Sequence, residues 1–178
     1  MSKLVVIDAG HGGKDSGAVN GGKYEKAVAL ATAKLLKSEL EKNGFRTLLT
    51  RDSDIFLELS ERCKISNNAG ADIFISIHCN SATNKTAEGI ETWRYSKVGQ
   101  TTKALAENVQ KRMIDVTGAC NRGVKEGNLY VVKNTKVPAI LVEMGFISNA
   151  EESIKLFKTY YQNSIAKAIC QGVIDTVG

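Results

Sequence analysis

The chain opens on an unbroken apolar run, Leu4-Val5-Val6-Ile7, set between Lys3 and Asp8. Short continuous runs rich in β-branched residues mark strands buried on both faces, so Lys3 to Asp8 is predicted as a strand. A glycine-rich loop from Gly10 to Gly22 follows. The period then changes. Val28, Ala31, Leu35, Leu36 and Leu40 share one face of a helix predicted from about Tyr24 to Asn43, with Gly44 placed to end it. Phe45 to Thr50 predicts a second strand, and Leu59 to Ala69 a second helix closed by Gly70. Asp72 to Cys79 (DIFISIHC) is a third strand and Gly89 to Tyr95 a fourth. Leu105, Val109, Met113 and Val116 trace an amphipathic helix ending before Gly118. Leu129 to Val132 and Ala139 to Met144 predict two further strands, and Ile165, Ile169, Val173 and Val177 a closing helix.

Strands alternating with helices imply an α/β fold: one twisted, mostly parallel sheet of about six strands with helices on both faces. No internal repeat, low-complexity segment or Pro-rich linker interrupts the pattern, and 178 residues are few for two domains, so residues 1–178 are read as one.

Composition narrows the function classes. The net charge is +5, but the lysines are scattered at spacings typical of solvated helix faces, which argues against a nucleic-acid surface and leaves a mild attraction to polyanionic surfaces. The four cysteines, Cys63, Cys79, Cys120 and Cys170, contain no C-x-x-C pair, which excludes a zinc ribbon and gives no disulfide framework. No apolar run reaches the length of a membrane span, and Met-Ser-Lys leads straight into the first strand without a secretory segment. The expectation is a chain without membrane insertion or export signal.

Histidine is scarce and therefore informative. His11 and His78 are the only two, and each lies at or just beyond the end of a predicted strand. Ligands gather at the carboxyl ends of strands in such sheets, so two residues far apart in sequence can meet there. Glu25, at the start of the first helix, can turn back toward the same edge. Two imidazoles and a carboxylate with one open position form a standard catalytic zinc set. The competing readings are structural histidines and a first-turn glutamate favouring the helix dipole. Glu143 breaks the apolar run Ala139-Ile140-Leu141-Val142-Glu143-Met144. A carboxylate there is costly unless paired or functional, and burial would move its pKa toward the range useful for a general base. A structural salt bridge is the alternative. Cys79 follows His78 along a strand, so its side chain should point to the other face. Neither a phosphate-binding loop nor H-E-x-x-H nor G-x-S-x-G occurs.

Longer stretches carry a resemblance. VVIDAGHGGKDSGA, Tyr24-Glu25-Lys26, LLTRDSD at 48–54, ISIHCNS at 75–81, GIETW at 89–93 and NRGVKEGNLYVVKNTKVPAILVEMGFISN at 121–149 occur in order over nearly the whole chain. Together they resemble the amidase-3 family of zinc-dependent N-acetylmuramoyl-L-alanine amidases. The resemblance implies a zinc-exopeptidase-like sheet and one Zn2+ per chain held by His11, Glu25 and His78. It further implies Glu143 as catalytic acid/base and bacterial peptidoglycan as substrate of a probable monomer. Family members act at the cell wall, as phage endolysins released from the host or as bacterial autolysins. Cell-division members insert an inhibitory helix between the segments matching Asn80 and Gly89; the stretch here is too short for one, so an open, constitutively active site is expected. Asn80, Arg122 and Asn128 are candidate substrate contacts, and Glu91 is read as structural. The rival functions are another zinc peptidase on a similar sheet and a non-enzymatic wall-binding module.

Overall fold

A computed structural model describes residues 2–178. The six-stranded sheet runs β4-β1-β5-β8-β6-β7. Its centre is β1 (Leu4–Ala9), β5 (Ile73–Asn80) and β8 (Ala139–Phe146), with β4 (Arg46–Leu49) at one edge and β6 (Ile90–Arg94) and β7 (Asn121–Glu126) at the other. All neighbours are parallel except β6 and β8, which are antiparallel. A two-stranded hairpin, β2 (Val19–Asn20) with β3 (Lys23–Tyr24), closes the glycine-rich loop.

Strand alternation divides the core into two unequal layers. Val5, Ile7, Ile75 and Ile140 face α1 (Glu25–Lys42), α3 (Gln100–Thr117) and α6 (Thr159–Val177). Val6, Phe74 and Leu141 face α2 (Leu59–Ala69) and α4 (Tyr130–Asn134). Leu36 and Leu40 of α1 are fully buried, each worth about 1.5–3 kcal/mol of hydrophobic stabilisation. A short helix, α5 (Ala150–Leu156), joins β8 to α6 and is capped by Asn149, whose side chain accepts from the Glu151 and Glu152 amides.

The predicted α/β sheet with helices on both faces is the observed one, with two exchanges among its elements. Leu129–Val132 is not a strand: Tyr130–Asn134 forms one helical turn, α4, that buries Val131 and Val132 and leaves Tyr130 exposed. β propensity describes fit to a pleated, half-buried surface, and here no neighbouring strand offers one. The sixth strand is instead β7, whose sequence NRGVKE is polar because it is an edge with little to bury. The helix α5 also lacks a counterpart among the predicted elements.

Candidate metal centre

The carboxyl ends of β1, β5 and β8 point to one edge of the molecule. Just past β1, His11 adopts φ 60, the only positive φ of a non-glycine residue among the described residues. Left-handed backbone costs energy for a residue with a Cβ and persists only where the surroundings impose it. Two buried arginines impose it here. Arg51 donates to the carbonyls of Ala9, Gly10, Ser53 and Lys26, and Arg62 donates to Asp8 and to the carbonyls of Ala9, His11 and Leu57. The loop is thus fixed through its backbone.

His11, Glu25 and His78 converge, with one donor atom from each lying within 4.8 Å of the others. Glu25 Oε1 lies 3.0 Å from His11 Nε2 and 3.0 Å from His78 Nδ1, and accepts the Cys79 amide at 3.0 Å. Its other oxygen accepts the Ala18 amide at 2.9 Å. The two imidazoles stand edge to face, 4.9 Å between centroids. Two glycines make room for this cluster. A methyl on Gly10 would lie 2.6 Å from His78 Nε2, and one on Gly17 would lie 2.6 Å from both Glu25 Oε2 and His11 Cδ2.

The far nitrogen of His11, Nδ1, sits 2.8 Å from Asp15 Oδ2. Burial pulls the His11 pKa down, but hydrogen bonds and charge from Glu25 and then Asp15 outweigh it, so the imidazole titrates above its ordinary 6.5. Burial alone would push Glu25 up; the hydrogen bonds and charge of His11 and His78 instead hold it well below the usual carboxylate range. Histidine held by a carboxylate on one side and aimed at a ligand position on the other is the usual support of metal-binding imidazoles.

Glu143 lies directly opposite His78 in the β5–β8 register and opposite Glu91 in the β8–β6 register. Its Oε2 is shut off from solvent and has no hydrogen-bond partner among the described residues. Burial, reinforced by the Glu25 and Glu91 carboxylates, pushes the Glu143 pKa well above its ordinary range. Glu91 is satisfied by three donors: Arg122 Nε at 2.7 Å, Asn80 Nδ2 at 2.9 Å and Trp93 Nε1 at 2.9 Å. Asn80 and Arg122 therefore meet beside Glu143, while Asn128 is exposed in the loop leading to α4. Cys79 is buried in the layer of α1, α3 and α6, on the sheet face opposite His78.

The structure thus brings His11, Glu25, His78 and Glu143 to one place. The residue that sequence reasoning missed is Asp15. Its one visible signal was a carboxylate four positions from a histidine in a loop.

Fold and donor set define a single-domain α/β scaffold with a group able to hold a metal ion. Residues 5–175 match the amidase-3 profile of N-acetylmuramoyl-L-alanine amidases. The chain belongs to this family. It is 42% identical to the endolysin of Bacillus phage SPP1, over 98% of this chain and 66% of the endolysin, which therefore extends beyond the matched part. The crystal structure of an N-acetylmuramoyl-L-alanine amidase from Clostridium difficile 630 superposes with TM-score 0.95 at 36% identity, covering 99% of each chain. The catalytic domain of CwlV, an amidase from Bacillus (Paenibacillus) polymyxa, superposes with TM-score 0.91 at 41% identity, covering 98% of this chain and 99% of that one.

Proposed function

We propose that residues 1–178 form the zinc-dependent catalytic domain of an N-acetylmuramoyl-L-alanine amidase acting on bacterial peptidoglycan as a monomer, in the manner of an endolysin or autolysin. The observation that carries this reading is a compact His–Glu–His donor set beside a half-buried carboxyl group whose inner oxygen has no hydrogen-bond partner among the described residues. The donors suit Zn2+. Two imidazoles and a carboxylate oxygen leave one position open, as catalytic zinc requires, and the nearby thiol of Cys79 faces the opposite side of the sheet. Asp15 orients His11 as a supporting carboxylate. When bound there, zinc supplies a water acidic enough to attack at neutral pH and polarises the scissile carbonyl.

The remaining steps belong to the protein. Glu143 accepts a proton from the attacking water as oxygen adds to the lactyl carbonyl carbon. It then delivers that proton to the alanine nitrogen as the C–N bond breaks. The products are a muramic acid carboxylate and a stem peptide with a free L-alanine amino terminus. A group whose pKa is raised by burial suits this exchange, because it accepts a proton more readily than an ordinary carboxylate.

The decisive experiment pairs two variants on purified wall. Glu143→Gln should keep bound zinc and lose about 10²–10⁴-fold in kcat. His78→Ala should lose zinc and activity together. Near-wild-type activity of Glu143→Gln overturns the assignment of the proton carrier. Only a short stretch joins β5 to β6, 81–89, which supports a site open without an activating partner. Purified, zinc-loaded protein that stays inactive until a second protein is added would refute that.

A further inference from the structure

We propose that the substrate crosses the site in one direction: the muramoyl sugar with its lactyl methyl rests in an apolar cavity rimmed by Leu59, Leu129 and Tyr130, and the departing stem peptide runs past Glu143 to Arg122. The proposal rests on the amidase reading above and assigns the two halves of the substrate to two different surfaces.

The cavity opens beside His11 and His78, between the N-terminal ends of α2 and α4, and measures about 410 Å³, within the roughly 300–1,000 Å³ of small-molecule sites. Its rim carries three large apolar side chains left in water: Leu59 is 51% exposed, Tyr130 44% and Leu129 37%. Exposed apolar groups clustered at the mouth of a cavity beside a reactive centre mark a binding surface. The charged groups in its wall are Asp8, Asp15, Glu58 and Arg62, and each is already engaged. Arg62 serves Asp8 and three carbonyls, Asp15 holds His11, and Glu58 caps α2. Lys14, whose ammonium stacks on Phe56 at 4.3 Å, is not part of the lining. The wall therefore offers methyl contacts and carboxylate acceptors for hydroxyls, and no unpaired cation. Apart from the metal position at its inner end, nothing in this wall would compensate a carboxylate for lost hydration. An acetylated sugar with a lactyl ether suits this wall better than a stem peptide whose second residue carries a free carboxylate.

The opposite side has the complementary chemistry. Arg122 reaches Glu91 through Nε and, at 3.4 Å, the Glu88 carbonyl through Nη1, and its side chain remains 37% exposed. This guanidinium faces the flank of the site where Glu143 sits next to Glu91 in register. The group that protonates the leaving nitrogen must lie on the leaving group's side. The peptide therefore departs across Glu143 toward Arg122, and the acyl half is left on the side of the cavity. Charge and proton delivery give the same direction independently.

The test uses zinc-loaded protein and three substrates with the same scissile amide: a disaccharide muropeptide, its sugar-free lactoyl-peptide analogue, and the muropeptide amidated at its second residue. Tyr130→Ala combined with Leu59→Ser should lower kcat/KM about tenfold on the disaccharide substrate, as expected for losing apolar contact, and affect the lactoyl peptide, which keeps only the lactyl methyl, clearly less. Arg122→Gln should raise KM for the free carboxylate and not for the amidated form; a merely structural loss would affect both alike. Binding of the disaccharide muropeptide to the Glu143→Gln protein should weaken with Tyr130→Ala by a similar factor. The proposal is overturned if the rim variant affects sugar-bearing and sugar-free substrates equally, or if Arg122→Gln responds to the sugar rather than the carboxylate. Wild-type protein that frees no L-alanine amino terminus from any of the three substrates sinks the amidase reading itself.

Discussion

Glu25 and Glu143 are both withdrawn from solvent at the same edge of one sheet, yet their surroundings drive them in opposite directions. Glu25 receives two imidazoles and two backbone amides and is held as a carboxylate. Glu143 receives no hydrogen bond on its buried oxygen, faces two other carboxylates, and has its pKa pushed well above the ordinary range. Side-chain type does not distinguish them; the donors that the fold aims at each one do. A pair of like groups with pKa values pushed apart is the arrangement that separates a fixed charge from a proton carrier. The two sides are also tied down differently: the Glu25 side by Arg51, Arg62 and two glycines, the Glu143 side by strand pairing and the donors gathered on the neighbouring Glu91.

The largest way to break that contrast, short of removing a ligand, is to fill the space beneath the Glu25 cluster. Gly10→Ala places a methyl 2.6 Å from His78 Nε2, closer than side chains tolerate, so the ring must move. We expect zinc affinity to fall about 10–100-fold, the range for disturbed ligand support, with the fold retained by circular dichroism. Full zinc affinity in Gly10→Ala would show that the His78 ring is free to shift and that the cluster is less tightly specified than its glycines imply.

How much of this could be read beforehand follows the same division. His11, His78 and Glu143 were legible because each violates an expectation: rare imidazoles at strand ends, and a carboxylate inside an apolar run. Glu25 was weaker, since a glutamate in the first turn of a helix has an ordinary role: its place after the glycine loop offered it as a third ligand, and the family resemblance strengthened that reading. Asp15 was not legible. A spacing of four positions has meaning on a helix, and this segment is an irregular loop whose shape depends on Arg51 and Arg62 from distant elements. Two of the misjudged elements have one cause. Tyr130-Val131-Val132 carries strand-forming residues without a strand partner, and Asn121–Glu126 pairs as a strand at an edge that asks for little apolar surface. Pairing is a tertiary fact.

Asp15→Asn sharpens the comparison by weakening one supporting charge while preserving shape. In the metal-free protein His11 lies between two carboxylates and keeps its proton above pH 6.5. That proton stabilises the metal-free fold fully below the unfolded value, and the benefit fades as pH rises through the raised folded value. Metal binding must expel it, so zinc affinity should fall about tenfold per pH unit once the solution is more acidic than the raised His11 value. Removing the Asp15 charge lowers that value. We expect zinc affinity at pH 8 to drop about tenfold from lost ligand support, while the acidic break in the affinity profile moves to lower pH. Isothermal titration across pH 5.5–8.0 measures both. A break that stays in place would remove Asp15 from the account of His11.

The smallest expected effect concerns the strand that carries His78, and it requires no mutation. Adjacent residues on a strand face opposite layers, so His78 belongs to the metal cluster and Cys79 to the core. Burial, with the Glu25 and Glu143 charges behind it, pushes the Cys79 thiol well above its ordinary range, and burial pushes Cys170 up to about 11. Cys63 is buried as well, whereas Cys120 is exposed. Since the thiolate is the reactive form, native protein at pH 8 should take up iodoacetamide at Cys120 alone, and at all four cysteines after unfolding. Peptide mass spectrometry reads the sites directly. Alkylation of Cys79 in native protein, accompanied by loss of zinc, would mean that the strand opens or turns near His78, and the separation between metal cluster and core on which the fixed charge of Glu25 depends would not hold.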